Sequence, residues 1–179
     1  MPKHITMKAD PATLDFTPYA LATLSDGFCE TGKTASENAH QLVRYFIYCR
    51  SIELGLKACV LNNNCTPEVK MILSTKIGHD LIKAKNLAEK TLKTTLFSEE
   101  QNEVLRVVNI SYKKKGIEYF TVDMIAGAMK GFKELPNIDD LANTAKTLNV
   151  YLVSKKMFID SNTTRTKGEL ESGGLINIY

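Results

Sequence analysis

The chain has 179 residues, 44% of them apolar, with 23 lysines and arginines against 20 aspartates and glutamates, for a formal net charge of +3. That length suits one compact domain with a sizeable core and excludes two ordinary ones. The small basic excess, spread through segments that also hold acidic residues, does not announce a nucleic-acid protein, so any such role must rest on a local patch.

Residues 1–16 carry few periodic apolar positions and read as a flexible arm. Met1-Pro2-Lys3-His4 leads into polar residues with no apolar h-region, so no secretory signal is expected. Thr17-Pro18 pairs a capping hydroxyl with the proline whose fixed φ suits the first helical position, which predicts a helix from there to about Phe28. Glu30-Thr31-Gly32-Lys33-Thr34 then reads as a connection, and Ser36-Glu37-Asn38 as a cap for the next helix.

From about Ala35 to Asn62 apolar residues recur at Ala39, Val43, Phe46, Ile47, Leu54, Ala58 and Leu61, a helical spacing with no proline. Near Tyr45 to Cys49 the segment is apolar almost all round, as a helix enclosed by neighbours would be. This is the expected central helix, about 40 Å long at 1.5 Å per residue. Its apolar run from Val43 to Cys49 stops at Arg50, well short of a membrane span. Cys29, Cys49, Cys59 and Cys65 show no metal-finger spacing, and the two on this helix read as reduced core thiols.

Asn62-Asn63-Asn64-Cys65 is a turn, and Thr66-Pro67-Glu68 repeats the start signal for a short helix to about Ser74. Gly78 breaks it. Leu81, Ala84, Leu87, Ala88 and Leu92 form the next amphipathic stripe. Ser98 and Gln101 have capping-box spacing ahead of Val104, Leu105 and Val108, on a helix expected to end near Lys115-Gly116. A further helix is expected from Thr121 and Asp123 to Phe132, stopped by Pro136, and a last one from Ile138 towards Met157. The tail from Ser161 is polar until the apolar, β-prone LINIY ending. Together these predict an all-α, up-and-down bundle of about five to six helices over residues 17–157, with a polar tail over 158–179.

Three places could carry chemistry. Glu53 and Lys57, four apart with Arg50 one turn earlier, sit deep in the apolar pattern SIELGLKACVL, where unpaired charge costs several kcal/mol. They read either as an ion pair on the least buried stripe of the helix or as the lining of a polar slot. His79-Asp80 reads either as a helix start, Asp80 capping the helix that begins at Leu81, or as a catalytic pair with His79 as general base. Ser111-Tyr112-Lys113-Lys114-Lys115, with Tyr119-Phe120 behind it, is the densest basic spot. It suits phosphates and stacked bases, or simply a solvated helix C-terminus. His40 and Arg44, four apart, are simplest as neighbours on one helix face. No phosphate loop, dinucleotide fingerprint, zinc-protease helix or serine elbow is present.

The order of these motifs resembles the HEPN family of helical domains. Ser51, Glu53, Leu56 and Lys57 match its central-helix Ala/Ser-x-Glu-x-x-Leu-Lys pattern. His79, Asp80 and Leu81 match its His-Asp-Leu helix start, and Tyr112 with Lys113 to Lys115 its later tyrosine and basic segment. The resemblance covers roughly residues 17–157 and implies a small helical bundle that often dimerises and occurs in toxins, antiphage systems and nucleotidyltransferase partners. Its ribonuclease members use an arginine followed four to six residues later by a histidine. Arg44, Arg50, Arg106 and Arg165 have none at that distance.

The expectation is therefore a cytoplasmic, non-catalytic binding module, a homodimer or a partner of another protein, with no metal and no cofactor. Arg50, Glu53, Lys57, His79, Tyr112, Lys113, Lys114 and Lys115 would line a polar groove for RNA or a nucleotide, with Asp80 fixing its geometry. The alternatives are a metal-independent RNA-cleaving or nucleotide-transferring enzyme using His79, and a purely structural interaction module.

Overall fold

The computed structural model describes residues 16–35, 41–115 and 135–157. Every regular element among them is helical: α1 (Pro18–Thr34), α2 (Gln41–Asn63), α3 (Pro67–Ile72) with a π-helical turn Leu73–Ile77, α4 (Leu81–Leu92), α5 (Glu99–Tyr112) and α6 (Ile138–Ser154). The fold is an all-α bundle. No helix among the described residues is long and apolar enough to cross a membrane. The arm before Phe16, the Ser36-Glu37-Asn38 cap, His40, the helix expected from Thr121 to Phe132, and the tail lie outside those residues.

Local chemistry sets most helix starts. Thr17 and Thr66 each take a backbone N–H on their hydroxyl ahead of a first-turn proline. Ser98 and Gln101 form the full capping box. Asp80 caps α4, its carboxylate accepting from Ile82 N and Lys83 N, and Gly78 supplies the positive φ of 56° that ends the π turn.

Helix ends deviate more from expectation. α1 runs through the Glu30–Thr34 stretch expected as a connection, because Gly32 serves packing there: a β-carbon on it would lie 2.5 Å from the Tyr48 ring. The Thr31 and Thr34 hydroxyls bond back to carbonyls one turn earlier, and Glu30 pairs with Lys33. α5 stops at Tyr112 rather than near Gly116, with Lys113 to Lys115 in a turn. α6 stops at Ser154, and Met157 folds back as a buried residue beyond it.

α2 is the central helix, touching α1, α4, α5 and α6. Every residue from Ser51 to Leu61 is buried. Ser25 lies against Ser51 while Gly32 lies against Tyr48, so α1 runs antiparallel to α2. Leu81 meets Asn109 and Lys85 meets Asn102, which makes α4 and α5 antiparallel as well. Cys29, Cys49 and Cys59 are buried free thiols, and Cys65 is an exposed one.

Candidate functional site

Four side chains converge on the carboxylate of Glu53. Arg50 and Lys57, three and four residues away, share its face of α2. Lys57 Nζ donates to Oε1 at 2.5 Å, and Arg50 donates to Oε2 at 3.1 Å. His79, from the turn leading into α4, places Nδ1 3.0 Å from Oε2, and Tyr112, the last residue of α5, donates its hydroxyl to the same oxygen at 2.6 Å. The His79 and Tyr112 rings meet edge to face, centroids 6.0 Å apart. One carboxylate thus ties α2, α5 and the entry to α4 together.

Glu53 is 1% exposed, and Lys57 and Tyr112 are buried with it. The pairing of Glu53 with Lys57 is therefore no surface ion pair on a lightly buried stripe. It belongs to the most enclosed part of α2. Burial by itself would raise the Glu53 carboxyl, but the charge and hydrogen bond of Lys57, with Tyr112 and Arg50, hold it below the usual carboxylate range. Burial, and then the adjacent Glu53 charge, push the Tyr112 phenol far above its ordinary value. Burial also opposes the charge on Arg50, yet Glu53 and Tyr112 outweigh it and the guanidinium is held more firmly protonated. An ionised carboxylate can only accept, so His79 Nδ1 carries the hydrogen and Nε2 is left for another partner.

Five of the residues singled out in the sequence therefore assemble in space: Arg50, Glu53, Lys57, His79 and Tyr112. Two of them do not line an open groove in the way expected. Tyr112 is no exposed stacking platform, because its ring is buried and its hydroxyl engaged, and Lys57 is no outward phosphate contact, because its ammonium is spent on Glu53. The side chains of Arg50 and His79, 33% and 32% exposed, are the members that reach solvent. Lys113, Lys114 and Lys115 are exposed in the turn directly after Tyr112.

Asp80 stands beside this cluster as a cap. Besides the two α4 amides, its Oδ1 accepts from Asn109 Nδ2 at 3.0 Å, and Asn109 Oδ1 accepts from Leu81 N at 2.8 Å. Sequence reasoning missed Asn109. Its signal was there, since it lies four residues after Leu105 and three before Tyr112, on the core-facing stripe where a polar side chain needs a partner.

Among the described residues no group of three or more histidines, cysteines or carboxylates could hold a metal ion. One cleft opens between α1 and α6 and another between α5 and α6, and none of the five clustered residues lines either. No family model, curated protein or solved structure matches the chain.

Proposed function

We propose that the chain is a non-catalytic, HEPN-like helical module that binds phosphate groups of RNA or a nucleotide at the solvent-facing edge of the Glu53 cluster, as a homodimer or beside a partner protein. The observation that carries this reading is the charge and exposure of the cluster. Two cations, Arg50 and Lys57, surround one carboxylate, leaving one positive charge in excess, and the outward groups are Arg50 and His79. A guanidinium fixed on one side by a buried carboxylate offers its remaining N–H groups in a set direction, which suits phosphate. Lys57 and Tyr112 are positioning residues that act through Glu53. Lys113 to Lys115 follow Tyr112 within about 11 Å of chain, at 3.8 Å per residue, and extend the basic surface.

The test is a gel shift in EDTA with labelled single-stranded and structured RNA, repeated over a range of salt. Wild type should retard the RNA. The combined Lys113→Ala, Lys114→Ala, Lys115→Ala variant should bind more weakly, and its slope of log affinity against log salt should flatten by about 2 on single strands. Unretarded RNA, or an unchanged slope in the variant, would remove this reading and leave a protein-interaction module.

One observation favours a second reading. Glu53 holds His79 by Nδ1 and leaves Nε2 turned away from the carboxylate, the arrangement a general base requires. RNA cleaved in the same gel by wild type and left intact by His79→Ala would establish an RNA-cleaving enzyme instead.

A further inference from the structure

The outer face of α4 carries charge of one sign. Lys83, Asn86 and Lys90 recur at helical intervals on the side opposite the buried Leu81, Ala84 and Ala88, and all three are exposed. Lys93 is exposed directly after the helix, and Lys76 in the π turn before it. At 1.5 Å per residue, Lys83 and Lys90 stand about 10 Å apart along the axis. No ion pair engages Lys76, Lys83, Lys90 or Lys93 among the described residues.

The acids that could neutralise this face are engaged elsewhere. Glu89, the only acid within α4, pairs with Lys85 at 3.5 Å and accepts from Leu96 N. The Asp80 carboxylate accepts from two α4 amides and from Asn109. On the neighbouring α5, Glu99 and Glu103 pair with Arg106, and Glu100 lines the cleft towards α6. A solvated outer face ordinarily intersperses both signs, whereas a stripe of one sign repels itself until an anion covers it.

Position links this stripe to the Glu53 cluster. His79 lies four residues before Lys83, and the bond from Leu81 N to Asn109 sets the start of α4 beside the last turn of α5. Lys113 to Lys115, directly after α5, therefore stand at the same end of α4 as His79.

We infer that an RNA strand held at Arg50 and His79 continues along the outer face of α4, with Lys83 and Lys90 pairing with its phosphates and Asn86 donating between them. The inference rests on the reading of the Glu53 cluster as a phosphate site and adds the path the strand takes from it. Two ammonium groups on flexible stems contact the backbone and no base edge, so this part of the path has no sequence preference.

The test is fluorescence anisotropy of the full chain with labelled single-stranded oligouridylate of about 16 nucleotides, the upper end of site sizes for a single-strand groove, over a range of salt. The Lys83→Ala, Lys90→Ala double variant should bind more weakly than wild type, and its slope of log affinity against log salt should flatten by about 1.4, two contacts at about 0.7 each. Both positions are exposed and helical, so alanine leaves the fold in place. Lys146→Ala with Lys155→Ala removes the same charge from exposed positions on and just after α6 and should keep the wild-type slope. Equal slopes in all three proteins, with RNA still bound, would overturn the inference and leave the phosphate reading of the Glu53 cluster standing. An equal flattening in both variants would also overturn it, because net charge alone would then account for the effect. RNA left unbound by wild type would remove both readings. Poly-glutamate displacing the RNA at equal charge concentration would assign the stripe to an acidic protein instead and overturn the inference.

Discussion

Glu53 is the residue on which the candidate site depends, and its position has an energetic consequence. Taking a carboxylate and an ammonium out of water is costly, and the cost is offset only while the partners remain together. Glu53→Gln keeps the shape but leaves Lys57 buried without a counter-charge, so it should destabilise the protein by about 3–5 kcal/mol. Glu53→Gln combined with Lys57→Met removes both charges and should recover a large part of that loss, because a buried pair replaced by packed neutral groups is often close to neutral. Urea unfolding of the single and double variants measures the difference. A double variant no more stable than Glu53→Gln would mean that the pair is not the organising interaction. Much of this site was legible in the sequence, since charges placed three and four apart inside an apolar helix must find each other or a further partner. That Tyr112 would spend its hydroxyl on Glu53 was not legible, because the contact joins residues 59 positions apart.

At the scale of helices, the starts of α1, α3, α4 and α5 were legible, as was the end of α2, while the ends of α1, α5 and α6 were not. A start is written in local residue types, as at Thr17-Pro18, Thr66-Pro67, Asp80 and Ser98. Where no local turn signal marks it, an end depends on what the last turn packs against. Gly32 shows why: the residue that reads as a break is a contact point where α1 approaches the Tyr48 ring of α2. The glycines of these two helices accordingly divide by environment. Gly27 has open space around a built β-carbon, and its position in α1 is exposed, so Gly27→Ala should stabilise by about 0.5–1 kcal/mol through helix propensity and reduced freedom of the unfolded chain. A β-carbon at Gly55 would lie 2.7 Å from Leu148 Cδ2 and 2.9 Å from the Ser25 hydroxyl. Gly55→Ala must therefore move a core leucine and disturb the contact of Ser25 with Ser51, and should destabilise by about 1–3 kcal/mol. Thermal midpoints that move in opposite directions would support this division, and a stabilised Gly55→Ala would refute the close approach of α1, α2 and α6.

At the scale of the whole molecule, the buried ionisable groups set a pH window. The Glu53 carboxyl is held below its unfolded value of about 4.3, so its contribution is complete above that pH and is lost as pH falls through the folded value. The alkaline side is governed by groups shifted the other way. Burial raises the Cys49 thiol and pushes Cys59 up to about 12, while Tyr112 is raised by burial and by Glu53. In the unfolded chain thiols release their protons near pH 8.5 and tyrosines near pH 10, so above about pH 8.5 the unfolded state binds fewer protons than the native one and stability falls as pH rises. Urea unfolding from acid to alkaline pH, with reductant present, should show a plateau between about pH 5 and 8 with a decline on each side. Glu53→Gln should flatten the acid limb. A variant with both Cys49→Ala and Cys59→Ala should reduce the decline that begins near pH 8.5 and leave the contributions of Cys29, whose thiol burial also raises, and of the tyrosines, since the thiols ionise first. An alkaline limb unchanged in that variant would mean that the two thiols are not enclosed in the core around α2, the packing on which the position of every residue in the Glu53 cluster depends.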